Sequence, residues 1–500
     1  MTRPNILFVV FDQMRADCLF GALGEAVALP NLRAFMNDSV AFTNHVSVTS
    51  PCGPARASLL TGQYAMNHRS VRNGTPLPMD KPNLATELRR GGITPLLYGY
   101  TDTAADPRHY AADDPVLTSY EQVMNGFLEA LELRFEDSRT WRGYLAAQGY
   151  DVPAGDDLYV PVGGRPDAPA PYQAEHSDTA FLTDRLLEDL PTRGDGWCAH
   201  VTFIRPHPPF VAPAPFNSLA DPSMMPVPAG GDGAAFAASH PFNAHAMAHR
   251  QVRDMVCGFP DLVPSKETTA MLRAVYMGLV AELDHHFGRI VEHLKSRGQY
   301  EDTLIVVTSD HGEMLGDHGC WGKMNYLDAA FRVPLMIRVP GGRPARVDQP
   351  TESVDVMPTI LDWLGQDGPD SVDGHSLLPL ARGEVPEGWR DYSVSELDFG
   401  DPANPTVAQQ QLGLSSQECG VAILRTAKHS LVHFNGGGGL PPILFDHDGA
   451  GEARNIAGDS GAEAIRLAML ERLLTHRMRH AEGRFSQTMI TPDGVIRGQY

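Results

Sequence analysis

At 500 residues, with 40 Lys plus Arg against 61 Asp plus Glu, the chain carries a formal charge of −21, which argues against a protein that grips nucleic acid through cationic surface. Its 42% hydrophobic content, with no apolar stretch approaching the ~20 residues of a bilayer span, excludes a disordered chain and an integral membrane protein. The 48 Gly and 40 Pro exceed the roughly 35 and 25 of average usage, which predicts long loops around a packed core, where sites are usually built.

Ile6-Leu-Phe-Val-Val-Phe11 is a short unbroken apolar run with β-branched and aromatic residues, so it reads as a strand buried on both faces, ending at Asp12-Gln13. The run is too short for a secretory h-region. The six cysteines (Cys18, Cys52, Cys198, Cys257, Cys320, Cys419) lack paired spacing, so a reducing, cytoplasmic location is expected. Helix followed by buried strand recurs at 84–90 then 95–98, and at 180–190 then 200–204. Between 268 and 297, Leu272, Tyr276, Leu279, Leu283, Ile290 and Leu294 describe one side of a long helix stopped at Gly298. Leu304-Ile-Val-Val307 is the next buried strand, ending at Ser309-Asp310-His311. This alternation predicts an α/β fold, a mostly parallel sheet sandwiched by helices, and in such sheets ligands gather at the carboxyl ends of strands, bringing Asp12, Asp310 and His311 together.

Pro/Gly-rich stretches at 151–172 and 205–233 read as insertions. The alternation fades near 366–386, after which strands at 421–424, 430–434 and 443–445 and a helix at 461–480 predict a smaller α+β unit with an antiparallel sheet. The expected division is therefore 1–385 and 386–500. His245 and His249 stand four apart near His240, but with no adjacent Glu or cysteine partner they read as a solvated or pocket-lining helix rather than a zinc site; the tract Gly436 to Gly439 reads as a turn.

The segment Ser50-Pro-Cys52-Gly-Pro54-Ala-Arg56-Ala-Ser-Leu-Leu60-Thr61-Gly62 carries the most chemistry. Cys52 precedes a proline placed to open a helix, near the partial positive charge of the helix start, with Arg56 one turn on, a setting that suits an anion. Cys-x-Pro-x-Arg followed by Leu-x-Thr-Gly resembles the signature of type I sulfatases and their relatives in the alkaline phosphatase superfamily. The resemblance continues in order through Pro4-Asn-Ile-Leu with Asp12, Leu283-Asp284 through Gly288, Thr303 through Gly312, Gly322-Lys323, Val333-Pro334, Val354-Asp355 with Pro358-Thr359, and Asp373-Gly374 with Ser376-Leu377.

That resemblance implies an alkaline-phosphatase-like fold and a hydrolase of sulfate or phosphonate esters. It implies that Cys52 is converted to formylglycine by dedicated modifying machinery, the hydrated aldehyde giving one oxygen to attack sulfur or phosphorus and a second to expel the covalent product. It implies one divalent cation, Ca2+ or Mn2+ by expectation, held by Asp12, Gln13, the modified Cys52, Asp310 and His311. Arg56 would stabilise charge on the transferring group, while His207, in Ile204-Arg-Pro-His207-Pro-Pro-Phe210, and Lys323 would meet the leaving-group oxygen. Homo-oligomers are frequent in the family, and the tail at 487–500, with little to pack internally, is expected to reach a neighbouring subunit.

The chain departs from the common sulfatase pattern where Gly-Lys-x-His is replaced by Gly99-Tyr100-Thr101-Asp102. Two cations have become a phenol and a carboxylate. Tyr100 resembles the phosphonate monoester hydrolase and arylsulfatase branch; Asp102 matches neither pattern and reads equally as a base or as a partner of Arg56 or Lys323. Losing cations penalises dianions more than monoanions, which favours monoanionic sulfate esters, phosphonate monoesters and phosphodiesters as substrates. The alternatives are an enzyme acting mainly on phosphonate monoesters and phosphodiesters, a relative using Cys52 unmodified, and a metal-bound protein that binds an anion without catalysis.

Overall fold

The protein is described by a computed structural model covering residues 4–136, 138–231, 233–448, 452–482, 488–492 and 494–497. Strand β1 (Asn5–Asp12) is buried at every position because it sits in the middle of a sheet covered on both sides. Leu7, Val9 and Phe11 enter one core and Ile6, Phe8 and Val10 the other. The remaining strands of this sheet are β2 (Val40–Phe42), β3 (Pro95–Gly99), β4 (Leu128–Glu132), β5 (Cys198–Pro206), β6 (Thr303–Ser309), β7 (Leu335–Arg338) and β8 (Ala345–Val347). Their spatial order is β8-β2-β7-β6-β1-β5-β3-β4. Neighbours run parallel except at β7, which is antiparallel to both β6 and β2.

Helices α1 (Cys52–Thr61), α2 (Leu84–Arg90), α3 (Asp178–Asp189) and α4 (Lys266–Ser296) cover the two faces. α3 and α4 place Phe181, Leu182, Leu272, Leu279 and Leu283 on the face of Leu7 and Val9, whereas α1 and α2 place Leu59, Leu60, Leu84 and Leu88 on the other. Each such fully buried side chain contributes about 1.5–3 kcal/mol. The long helix starts where Ser265 Oγ accepts from Thr268 N and stops before Gly298, whose φ of +67° a side chain would resist.

A second, antiparallel sheet follows: β9 (Tyr392–Asp398), β10 (Gly420–Thr426), β11 (His429–Phe434) and β12 (Ile443–Asp446). Helix α5 (Ala462–Arg477) packs Met469 and Leu473 against Leu424, Leu431 and Leu444. The strand Thr49–Ser50, which leads into Cys52, pairs in parallel with β9, so the segment before Cys52 adds an edge strand to the second sheet. Of the tail, Thr488–Thr491 and Gly494–Arg497 form a two-stranded hairpin; residues 487, 493 and 498–500 lie outside the described residues. Among the described residues no helix is long and apolar enough to cross a membrane, and the six cysteines are unpaired.

Candidate active site

Every candidate residue from the sequence, apart from Lys323 in a later loop, lies at the carboxyl end of a central strand or in the first turn and a half of α1. β1 ends in Asp12 and Gln13, β3 leads to Tyr100 and Asp102, β5 to His207, and β6 to Asp310 and His311. Helix α1 starts after Pro51, whose extended backbone caps it, and ends at Gly62, whose φ of +64° closes the last turn onto Ser58 O. All ten residues of α1 are buried, so the Arg56 guanidinium, 1% exposed, requires buried partners.

Arg56 finds them in carboxylates. Its Nη2 lies 3.0 Å from Asp12 Oδ2 and 3.0 Å from Asp310 Oδ2, and its Nε lies 3.6 Å from Asp102 Oδ2. The guanidinium also covers the Tyr100 ring at 4.2 Å, and Tyr100 donates its hydroxyl to Asp12 Oδ2 at 2.5 Å. Cys52 Sγ sits at the centre, 3.2 Å from His311 Nε2, 3.8 Å from Asp12 Oδ1 and 3.0 Å from Lys323 Nζ, which also donates to Gln13 Oε1 at 2.8 Å. Gln13 is held in the left-handed region (φ 69°), with its N–H donated to Asp310 Oδ1 and its amide donated to Glu313. Asp102 is also left-handed (φ 46°).

Burial governs the titration of these groups. It pushes the Cys52 thiol well up, and the Asp12 carboxylate adds to that, so an unmodified cysteine here is a poor thiolate nucleophile. Burial opposes ionisation of Asp12, but His207, Arg56 and Lys323 together outweigh it and hold the carboxyl low. Asp310 moves the other way, raised by burial and by Asp12, and burial likewise raises Asp102 against the pull of Arg56. Lys323 resists its burial through Cys52 and Asp12 and remains an ammonium. Burial and Lys323 lower His207 to about 3, leaving it neutral at pH 7. Its Nδ1 is donated to Pro208 O at 2.6 Å, so Nε2 carries the lone pair, and its ring packs on Phe135.

One ligand atom each from Asp12, Cys52, Asp310 and His311 lies within 4.8 Å of the others, the grouping among the described residues suited to a metal. His311 donates Nδ1 to Gly312 O at 3.0 Å, which leaves Nε2 free to ligate. Asp310 Oδ2 is buried and, although paired with Arg56 at 3.0 Å, accepts no hydrogen bond of good geometry, and the Asp12 carboxylate raises the pKa of Asp310, as expected of groups that share a cation. The residues fit a divalent ion with hard oxygen and imidazole ligands.

His240 instead caps the helix Pro241–His249, its Nδ1 accepting from Phe242 N, and donates its Nε2 proton to Pro441 O at 2.8 Å, as a structural residue. Gly437–Gly439 is a short turn. Sequence reasoning passed over two residues of the site. Glu313, buried, accepts from Gln13, Leu315 N and Gly322 N and so orients the Gln13 amide; an acid two residues beyond His311 in the same loop was the available signal. Asn73 Oδ1 accepts from Gly53 N at 2.9 Å, next to Cys52, and nothing in its local sequence marks it.

The sulfatase family model matches residues 4–366, and a second model, described as the C-terminal part of N-sulphoglucosamine sulphohydrolase, matches residues 316–479. A multifunctional alkaline phosphatase superfamily protein of Trinickia caryophylli is 38% identical, with 99% of each chain covered. Among solved structures, the phosphonate monoester hydrolase of Silicibacter pomeroyi is 52% identical with a TM-score of 0.96, covering 99% of each chain. That of Agrobacterium radiobacter is 40% identical with a TM-score of 0.93, covering 100% of each. With the family model matching residues 4–366 and relatives this similar over nearly the whole chain, the chain belongs to the sulfatase family of the alkaline phosphatase superfamily.

Proposed function

We propose that this chain hydrolyses monoanionic sulfate esters and phosphonate monoesters, and phosphodiesters with them, with Cys52 as the precursor of a formylglycine nucleophile. The observation that carries the reading is the charge around Cys52: Arg56 and Lys323 are the fixed cations, and Asp12, Asp310 and Asp102 stand against them. At a pH above the raised titrations of Asp102 and Asp310, where all three carboxylates are ionised, a divalent ion leaves the site with one net positive charge, which suits a single negative charge on the substrate. The high thiol pKa of Cys52 supports conversion to formylglycine over direct use of the cysteine.

Asp12, Gln13, Asp310, His311 and the residue at position 52 would hold the metal, which when bound supplies Lewis-acid polarisation of the substrate oxygens and of the nucleophile. Arg56 is locked by its carboxylate partners and the Tyr100 ring, so it meets charge developing on the transferring group without reorganising. Lys323 reaches both the nucleophile and Gln13 and neutralises a substrate oxygen between them. His207, neutral at rest, takes up a proton at Nε2 from solvent when the incoming anion raises its pKa from the low resting value, and delivers that proton to the leaving oxygen. Asp102 acts as the partner that restrains Arg56, with the 3.6 Å approach as support.

The start of the second sheet at Tyr392 supports a division into a catalytic unit over 1–385 and a smaller unit over 386–500. The unpaired cysteines support a reducing compartment. Two measurements test the reading. The Cys52 peptide from cells with formylglycine-generating machinery should be lighter by about 18 daltons, the difference between a thiol and an aldehyde. Kinetics on an aryl sulfate, a phosphonate monoester, a phosphodiester and a phosphate monoester should show turnover of the three monoanions and slow turnover of the dianion. Unmodified Cys52 in fully active enzyme, or a preference for the dianion, would overturn it.

A further inference from the structure

The proposed reaction needs a place for the organic group that leaves, and the following inference rests on that reading. His207, placed to meet the leaving oxygen, packs on Phe135 with ring centroids 4.9 Å apart. Phe135 and Glu136 donate their backbone N–H groups to the Glu121 carboxylate at 3.1 and 3.0 Å, which ties this stretch to the neighbouring Tyr120. Burial, Asp102 and Cys52 all raise the Tyr120 phenol, so that side chain lies within electrostatic reach of the nucleophile.

Tyr120 and Glu136 line a cleft of about 360 Å³. Its other walls include Ala104, Ala105, Val116 and Leu117, together with Gly74, the residue after the Asn73 that holds Gly53. The cleft therefore adjoins the leaving-group side of the site, is walled mainly by hydrocarbon, and among the described residues has Glu136 as the formal charge on its lining. An aromatic or aliphatic group gains from such walls, whereas a second anion meets Glu136 and no cation.

We propose that this cleft is the leaving-group subsite, with Tyr120 against the group nearest the ester and Glu136 setting a preference for uncharged or cationic leaving groups over anionic ones. The test uses the metal-loaded, formylglycine-containing enzyme and four esters of one acid: methyl, phenyl, 4-carboxyphenyl and 4-trimethylammoniophenyl. Each variant is compared with wild type on the same ester, which cancels differences in leaving-group reactivity.

Glu136→Gln should raise kcat/KM for the carboxyphenyl ester about threefold relative to the phenyl ester and lower it comparably for the trimethylammonio ester. That is the effect of one charge across ~8 Å at the high effective dielectric of an open cleft, and it should fade at high salt. Glu384→Gln, an exposed acid outside the cleft, should leave both ratios unchanged. Leu117→Trp, which fills the cleft, should lower kcat/KM about tenfold for the aryl esters and less than twofold for the methyl ester. Equal losses on methyl and aryl esters, or unchanged ratios in Glu136→Gln, would overturn the assignment. If wild type hydrolyses none of the esters, the functional reading falls; weaker calorimetric binding of the phenyl ester to Cys52→Ala protein carrying Leu117→Trp would still uphold the cleft, and unweakened binding would reject it.

Discussion

Asp102→Asn separates the two roles that the sequence leaves open for this residue. Asn keeps the shape of the side chain and tolerates the left-handed backbone (φ 46°), so the fold should survive. The carboxylate it replaces lies 3.6 Å from Arg56 Nε, an atom with no hydrogen-bond partner among the described residues. At an effective dielectric of ~20 the pair gains about 4–5 kcal/mol in gross Coulomb energy, most of it offset by desolvation. What reaches the substrate is smaller: a charge ~6 Å away at a dielectric of ~40 feels about 1.4 kcal/mol, a factor of ten. A dianion feels it twice and a monoanion once. Asp102→Asn should therefore raise kcat/KM for a phosphate monoester over a phosphodiester by about tenfold. Because burial raises the Asp102 pKa, the wild-type carboxyl is neutral at low pH and already resembles Asn there. The advantage of the variant should grow as pH rises through that titration, and a full pH profile of the ratio in both proteins would show it. If Asp102 is instead the base that collapses the covalent intermediate, turnover should fall by roughly a thousandfold on every ester, with the intermediate trapped in quenched samples. An unchanged ratio with unchanged turnover would refute both roles.

Asp310→Asn removes a charge from the metal cage, so divalent metal retained after dialysis and activity should fall together; retention of both would exclude it as a ligand. His207→Ala should cost about 10²–10⁴ in kcat/KM for esters of poorly acidic alcohols and far less for nitrophenyl esters, and a uniform loss would rule out proton delivery to the leaving group. Glu282 on α4 is pushed up to about 8 by burial and by Asp178. Between its unfolded value near 4.5 and about 8 the native state retains a proton that the unfolded chain has released, so stability falls as pH rises through that window, by up to about 4–5 kcal/mol. Glu282→Gln should flatten the decline in melting temperature between pH 5 and 8, and a parallel decline in both proteins would contradict it.

The parts of the fold that the sequence revealed share one property: burial on both faces or along one long helical stripe. β1, β6 and α4 stand out because four or more consecutive or periodic positions obey one rule. β2, β7 and β8 are three or four residues long, too short for a pattern, and β4 exposes three of its five residues at the sheet edge. The site was legible for a different reason. Asp12, Asp310 and His311 directly follow obvious strands, and parallel topology carries such positions to one edge. Asn73 follows no such strand, and its place against Gly53, next to Cys52, depends on a loop whose path only tertiary packing decides.

Among the described residues, the late segments that match the family pattern, Lys323 apart, lie away from Cys52, yet they determine where Cys52 sits. The chain enters α1 through Thr49–Ser50, paired with β9 of the second sheet, and Ser50 Oγ donates to Lys323 O at 3.2 Å. It leaves α1 through Gly62, whose carbonyl accepts from Asp373 N at 2.8 Å, while Asp373 Oδ2 accepts from Tyr64 N at 2.9 Å. Gly374 passes so close to Val354 that a Cβ would lie 2.0 Å from its carbonyl oxygen, which accounts for a glycine there. Tyr64 in turn donates to Glu352 at 2.6 Å, and Arg390 joins Glu352 and Asp355 at 2.6 and 2.8 Å with both acids fully buried. Breaking such a buried network costs several kcal/mol, so it fixes the entry and exit of α1 more firmly than helix propensity does. Cys52 and Arg56 are thus held from both sheets, and the Asp-Gly and Val-Asp segments beyond residue 350 act on them by holding α1 in place.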